Sequence, residues 1–170
     1  FKIEVIKEGF TKNHGFYKRI IERHEEIYIA SEEGVFKINP SKEQSIWTIE
    51  NIIKEETSEI VLCDLDGDGI EELIGITPFH GNCISIFKNL DGEFKKVWSY
   101  SKNTEFLHGL WAGEIFHKNM VIAGARKGNK ALFSIEYNTK LEEYEVKIIE
   151  EGVGPSNIAL LKSGEEYYMS

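Results

Sequence analysis

The chain has few cysteines, no long apolar run and fewer bases than acids. Its 170 residues include only two cysteines, Cys63 and Cys83, so a disulfide-rich scaffold is excluded and two unpaired thiols are expected. No apolar run approaches the ~20 residues that a membrane-spanning helix needs. The 29 acidic and 20 basic residues give a net charge of −9. This balance argues against nucleic acid as the main partner, because phosphate contacts require a basic face.

The sequence also lacks the short motifs of several enzyme classes. It has no Ser-His-Asp spacing, no P-loop and no Cys/His cluster with metal-ligand spacing. Residues 49–59 are the only candidate for a helix of the usual length. The hydrophobic fraction of 41% and the aromatic fraction of 12% nevertheless indicate a globular chain with a packed core.

Short apolar and β-branched runs predict strands throughout the chain. Examples are residues 27–30, 73–76 and 121–124, each of which is followed by turn residues. The dipeptide Asp91-Gly92 is typical of the turn of a β-hairpin. The sequence therefore predicts an all-β protein built from antiparallel strands.

The strand segments recur at a regular spacing. Equivalent positions are 45, 49 and 49 residues apart, at His14, Glu59, His108 and Asn157. Repeats of about 40–50 residues with four strands each are the signature of β-propeller blades. We predict a run of four-stranded antiparallel blades, three complete and two partial. The complete blades span about residues 10–52, 56–101 and 105–150, and the partial blades span 1–9 and 153–170.

Three complete blades are too few to close a ring, since propellers typically close with four to eight blades. We expect the chain to be a fragment of a longer propeller, with residues 1–8 as the fourth strand of the first partial blade. The remaining blades would come from the parent chain or, alternatively, from another copy. A non-propeller antiparallel β fold is the other alternative.

The most specific motif is a run of alternating acids in the second blade, here named the acidic loop (residues 64–72). The acids occupy loop positions 1, 3, 5 and 9: Asp64, Asp66, Asp68 and Glu72. Gly67 and Gly69 allow a tight backbone path. Ca²⁺ takes six to eight oxygen ligands, and the carbonyl of Ile70 could add one to the carboxylates. Without a cation the acids would repel one another.

Residues 61–75 closely resemble the strand–loop–strand unit of FG-GAP (VCBS-type, integrin-like) β-propeller repeats. An EF-hand would need a Glu at position 12 between helices, whereas position 12 here is Gly75 between predicted strands. The resemblance implies calcium bound by four side chains and one carbonyl: Asp64, Asp66, Asp68, Glu72 and Ile70. Position 9 departs from the family, which more often has Asp there. The resemblance also favours an extracellular or cell-surface location.

The other complete blades have no such loop. The equivalent residues, 20–26 and 113–119, lack alternating acids, so one calcium ion is predicted among the complete blades. In the family that the chain resembles, this ion stiffens a hairpin and does no chemistry. The alternative for residues 64–72 is a solvated acidic hairpin that holds no ion.

A second candidate site is predicted on the opposite face of the blades. Because successive strands are antiparallel, the loops before the first strand and after the second share one face, and the acidic loop lies on the other. The ligand face is predicted to carry imidazoles, a guanidinium and an indole: His14, His80, His108, Arg126 and Trp111. Such groups suit a sugar or a carboxylated ligand. The alternative is that they are solvated loop residues.

Two classes of function remain open at this point. The first is a calcium-stabilised β-propeller binding module that presents the ligand face to a glycan or a protein. The second is a carbohydrate-active enzyme, such as a lyase or a dehydratase, that uses the His- and Arg-bearing face. The predicted fold does not decide between them, because propellers host many functions.

Overall fold

The computed structural model describes residues 3, 5–41, 47–102 and 104–170. In these residues there are fourteen strands and no helix, which confirms the predicted all-β class. The strands are β1 (Asn13–Ile21), β2 (His24–Ser31), β3 (Gly34–Asn39), β4 (Thr48–Ile53), β5 (Ile60–Cys63), β6 (Glu72–Thr77), β7 (Cys83–Leu90), β8 (Glu93–Tyr100), β9 (Thr104–Ile115), β10 (Lys118–Gly128), β11 (Ala131–Asn138), β12 (Glu143–Glu151), β13 (Leu160–Ser163) and β14 (Glu166–Met169).

The strands form three four-stranded sheets and one hairpin. Each sheet is an antiparallel meander in chain order, β1 to β4, β5 to β8 and β9 to β12, and β13 pairs with β14. The predicted four-stranded antiparallel sheets are thereby confirmed. No sheet closes on itself within the described ranges, so the propeller ring stays a prediction.

The three sheets stack face to face, and the middle sheet is buried on both sides. Consecutive residues of a strand point to opposite faces. In β6, Leu73 therefore packs in one cluster with Tyr28 of the first sheet, and Ile74 packs in another with Phe133 of the third sheet. The first strands of successive sheets, β1, β5 and β9, contact one another. This arrangement brings the first strands of all three sheets together.

Tight turns separate the first and second strands of the outer sheets. The turn residues Phe116 and His117 have φ of 49° and 63°, and residues 22–23 are also left-handed. Asp91 and Gly92, with φ of 55° and 90°, form the same kind of two-residue turn between β7 and β8, as predicted. Among the described sheets, only the middle one therefore has a connection between its first and second strands, the acidic loop, that is long enough to fold around an ion.

Some predicted elements differ from the structure. Residues 49–59 are not helical, because β4 and a connection without regular structure occupy them. The described part of the predicted N-terminal strand, Ile3 and residues 5–8, forms no strand, and no described strand pairs with it. Arg126 was predicted in a loop but lies in β10, which runs to Gly128. Strands need a hydrogen-bonded neighbour, and β10 gains one because β9 begins as early as Thr104.

Two smaller observations bear on the sequence predictions. Cys63 is buried and Cys83 is half-buried, and both are free thiols, as expected. Burial raises the pKa of the Cys63 thiol to about 12.

Within the residues that the structure describes, no helix is long and apolar enough to span a membrane.

Candidate functional site

The acidic loop joins β5 to β6 and is folded by its own carboxylates. Asp64 accepts the backbone N–H groups of Gly67 and Gly69, with distances of 2.8 and 3.0 Å. Asp66 and Asp68 each accept the N–H two residues further on. The two glycines have φ of 78° and 87°, which residues with a side chain rarely adopt. The alternation of acid and glycine is therefore what closes the loop.

Three of the five predicted calcium ligands converge. Carboxylate oxygens of Asp64, Asp66 and Glu72 lie within 4.8 Å of one another. Glu72 is fully buried, and its Oε2 accepts the N–H of Leu65 at 2.8 Å. Its Oε1 accepts no hydrogen bond within the described part of the chain. Burial, with a smaller effect of Asp66, raises the pKa of Glu72. Apart from the ammonium group of Lys88 at 3.4 Å, this buried oxygen has no partner among the described residues, and a bound cation would satisfy it.

The ammonium group of Lys88 lies among these carboxylates. Its Nζ contacts Asp66, lies 2.6 Å from Oδ2 of Asp68 and lies 3.4 Å from Oε1 of Glu72. Burial opposes the charge, but hydrogen bonds to Asp66 and Asp68 outweigh it and raise the pKa of Lys88. Asp68, the fourth predicted ligand, is therefore linked to the other carboxylates by its ion pair with Lys88. Ligation by the carbonyl of Ile70 stays a prediction.

The donor set fits a hard divalent cation that has to compete with Lys88. Calcium requires several oxygens at one point, and the acidic loop supplies carboxylates from four acids. Calcium would also satisfy Oε1 of Glu72. Binding would require the Lys88 ammonium to withdraw from the carboxylates, since both cations use the same oxygens.

Three imidazoles from three different sheets meet at the opposite end of the sheets. His14 lies in β1, His80 in the loop after β6 and His108 in β9. Their ring centroids are 4.6 Å (His14–His80), 5.0 Å (His14–His108) and 5.2 Å (His80–His108) apart. One nitrogen of each ring lies within 4.8 Å of the others. We name these three residues the histidine cluster.

Two of the imidazoles are held by groups outside the cluster. Oε1 of Glu59, which precedes β5, lies 2.5 Å from Nδ1 of His14. Nδ1 of His108 lies 2.6 Å from the carbonyl oxygen of Ser156, to which it donates. Burial raises the pKa of Glu59, whereas His14 and His108 act to lower it. These contacts occupy Nδ1 of both rings and leave Nε2 as the available nitrogen.

His80 differs from the other two imidazoles. Its Nδ1 is buried and has no hydrogen-bond partner among the described residues. Its backbone is left-handed, with φ of 49°, in the loop between β6 and β7. Burial lowers the pKa of His80, and the nearby His14, His108 and Lys12 lower it further. The His80 ring is therefore disposed to be neutral, with a lone pair to offer.

Aromatic and cationic groups extend the histidine cluster on one side. The Phe106 ring stacks on His80, with centroids 5.3 Å apart. Cζ of Arg126 and Nζ of Lys127 lie 5.7 and 5.1 Å from the Phe106 centroid, within cation–π range. Phe106 has φ of 52°, a strained conformation for an aromatic residue. Arg126 therefore lies next to the histidine cluster, with the Phe106 ring in contact with both.

Trp111, which was predicted on the ligand face, lies in β9 and makes no ring contact with the histidine cluster among the described residues. Its indole covers Gly113, where a Cβ would come within 2.8 Å of the ring. Trp111 stands three residues beyond His108 in β9, and its ring leans along the strand towards the β10 turn. A ligand role for Trp111 therefore stays a prediction.

A cavity opens at the same end as the histidine cluster, between the second and third sheets. Its volume is about 630 Å³. The lining combines two aromatic rings, two ammonium groups, a hydroxyl and a carboxylate: Tyr100, Phe133, Lys102, Lys130, Thr104 and Glu151. Thr104 begins β9, the strand that carries His108, so the cavity and the cluster share one face of the protein.

Sequence reasoning missed three of the residues that build these sites. Glu59 occupies the same repeat position as His14 and His108, so the repeat itself could have identified it. For Lys88 and Phe106 the sequence carries no signal, because their roles arise only from packing between strands. Neither the protein-family models nor the curated proteins that were compared with the chain gave a match.

Proposed function

We propose that this chain is a calcium-stabilised, propeller-type β module that binds an acidic glycan at the end that carries the histidine cluster. The supporting observation is the convergence of His14, His80 and His108 from three sheets beside Phe106 and Arg126. Side chains from separate sheets meet at one point here, which is the geometry of a ligand site rather than of one solvated loop.

The charge at this end supports a carboxylated ligand. The chain as a whole carries a net charge of −9, yet Arg126 and Lys127 flank Phe106, and the adjacent cavity is lined by Lys102 and Lys130 against one acid, Glu151. Guanidinium and ammonium groups pair with carboxylates, and an aromatic ring offers an apolar surface for a sugar ring. An acidic sugar combines both features, whereas a neutral sugar would use only the second.

The calcium part of the proposal concerns stability. An ion in the acidic loop would tie β5 to β6 and satisfy the buried Glu72. Because the loop lies at the opposite end from the histidine cluster, the ion would stiffen the middle sheet without contacting the ligand. The FG-GAP resemblance of residues 61–75 is the further support for this assignment.

The test is a titration of the isotope-labelled protein with an oligogalacturonate and with a neutral galactose oligomer of equal length. We expect the acidic oligomer to shift the amide signals of Phe106, Arg126 and Lys127. The double variant Arg126→Ala, Lys127→Ala should lose this binding, and Lys140→Ala, near the acidic loop, should keep it. Equal binding of both oligomers, or shifts confined to the acidic loop, would overturn the proposal.

A carbohydrate-active lyase or dehydratase at the same end is the second candidate. It is favoured by the contact of 2.5 Å between Glu59 and His14, because a carboxylate that orients an imidazole is a common general-base arrangement. Prolonged incubation with the acidic oligomer would then give unsaturated products, detected by ultraviolet absorbance. These should disappear in His14→Ala. Binding without any product formation supports the binding module.

A further inference from the structure

We propose that the histidine cluster is a binding site for a divalent transition metal of the Zn²⁺ type, with His14, His80 and His108 as its ligands. Imidazole nitrogen is a preferred ligand of Zn²⁺, whereas calcium prefers oxygen. The two candidate metal sites are therefore chemically distinct and lie at opposite ends of the sheets. This inference goes beyond the proposed function and depends only on the three imidazoles and the groups that hold them.

The spacing of the rings matches a common metal ligand sphere. A tetrahedral zinc at about 2.0–2.1 Å from each ring nitrogen would hold three imidazole centroids roughly 5 Å apart. The observed centroid distances are 4.6, 5.0 and 5.2 Å. Each residue also brings one ring nitrogen to within 4.8 Å of the other two. Only local rotations of the rings are needed to direct these nitrogens at one ion.

The hydrogen bonds behind the rings are those of metal-binding histidines. Such residues commonly donate the other ring N–H to a carboxylate or a backbone carbonyl, which fixes the tautomer and the ring direction. Glu59 has this relation to His14, and the Ser156 carbonyl has it to His108. The two supporting groups come from different segments, so the fold positions each ring separately.

The third ring offers a nitrogen that has no other use. Nδ1 of His80 is buried without a hydrogen-bond partner in the described part of the chain. A buried polar atom of this kind is costly, and a metal ion would remove the cost. No hydrogen bond at Nδ1 has to break when the His80 ring turns about its Cβ–Cγ bond.

A set of three imidazoles leaves one tetrahedral position free. Zinc sites with three protein ligands keep that position for water or an exchangeable ligand. Here the position would open beside Phe106, which stacks on His80 and lies below Arg126. We therefore expect a site that exchanges ligands, in contrast to the structural role of the acidic loop.

The experiment is a titration of the full chain with Zn²⁺ and with Co²⁺, in buffer with excess calcium to keep the probe ions out of the acidic loop. We expect one ion per chain by calorimetry and native mass spectrometry, and intense visible absorption from tetrahedral Co²⁺. His80→Ala and His108→Ala should each abolish both signals. Glu59→Gln should weaken Zn²⁺ binding about 10–100-fold. Circular dichroism without metal reports whether each variant is folded.

The matched control uses the remaining two histidines of the chain. The double variant His24→Ala, His117→Ala keeps the histidine cluster and should bind one Zn²⁺ with unchanged affinity, since His117 is 92% exposed and lies in the turn after β9. Loss of binding in this control, or unchanged binding in folded His80→Ala and His108→Ala, would overturn the assignment. The titration contains no glycan, so its result and that of the glycan titration stand separately.

Discussion

Nζ of Lys88 lies 3.4 Å from Oε1 of the fully buried Glu72, within the group of carboxylates that the acidic loop forms. Lys88 comes from β7, the strand next to β6, so the fold itself delivers an ammonium group to the predicted calcium site. A lysine brings one positive charge where calcium would bring two. Calcium would have to compete with Lys88 for the same oxygens, so we predict that Lys88 lowers the affinity of the loop for calcium.

We predict that Lys88→Met increases the calcium affinity of the acidic loop by roughly tenfold or more, because the ion no longer has to displace an ammonium group. Without calcium the same variant should be less stable by about 3 kcal/mol, since Glu72 and Asp66 lose their cationic partner. Calorimetric calcium titration and urea unfolding measure the two effects. Lys95→Met, an exposed lysine of β8, is the matched control and should change neither quantity.

Calcium is predicted to raise the thermal stability of the unmutated protein. An ion that binds only the folded state stabilises it by mass action, by about 2.7 kcal/mol at a hundredfold excess over Kd. Asp66→Ala should remove most of the calcium-dependent rise in Tm, because Asp66 is one of the three converging carboxylates. Glu150→Ala, an exposed acid of β12, should retain the full rise. A Tm of the unmutated protein that ignores calcium would show that the acidic loop folds around Lys88 alone.

The sequence was sufficient to predict the sheets because their pattern is local. Alternating apolar residues and two-residue turns such as Asp91-Gly92 determine each hairpin separately. The strand predicted within residues 1–8 stays a prediction: its described residues form no strand here, and a strand also depends on a partner that local pattern does not reveal. Ring closure depends on contacts between distant repeats, and no pattern within this chain determines it.

The candidate sites were predictable only in part. The repeat placed His14 and His108 at equivalent positions, and topology placed His80 at the same end, as the structure has it. A ligand role for Trp111 stays a prediction: the sequence placed it on a first strand, and strand position alone does not tell that its ring would lie over Gly113. Lys88 was missed because a lysine in a strand has no distinctive spacing, and its contact with the acidic loop depends on the pairing of β7 with β6.

Glycine follows His14 because the backbone of β1 lies close to another segment at Gly15. A Cβ at Gly15 would lie 2.7 Å from the carbonyl oxygen of Ser58 and 3.0 Å from Cα of Glu59, so only glycine lets β1 approach the start of β5. Gly15→Ala should therefore destabilise the protein by about 1–3 kcal/mol. It should also increase the distance between Nδ1 of His14 and Oε1 of Glu59 and weaken Zn²⁺ binding.

The comparison for Gly15→Ala is Phe16→Ala in the same strand. Phe16 is 63% exposed, so its truncation should lower the free energy of unfolding by about 1 kcal/mol at most. Urea unfolding measures the stability of both variants, and the imidazole NMR signals report the position of His14. If Gly15→Ala is as stable as the unmutated protein and leaves these signals in place, β1 and β5 are not in close backbone contact.

The last prediction concerns Glu26 in β2, which is surrounded by donors. Its Oε2 lies 2.7 Å from Nε of Arg19 and 2.8 Å from the hydroxyl of Tyr28, and its Oε1 contacts Lys37. Burial acts to raise the pKa of Glu26. The hydrogen bonds from Lys37, Tyr28 and Arg19 outweigh this effect and lower the pKa from 4.5 to about 2.

Because the folded-state pKa of Glu26 lies below the unfolded value, its ionised form stabilises the fold at every pH above about 4.5, and this contribution is lost as the pH falls towards 2. Glu26→Gln should therefore cost on the order of 2 kcal/mol at neutral pH, where the donors lose their charged acceptor. The cost should shrink as the pH falls from 4.5 to 2. Urea unfolding at a series of pH values measures it, with Glu150→Gln as the exposed control. A cost for Glu26→Gln that does not change across this range would mean that the carboxylate charge contributes nothing to the stability of the first sheet.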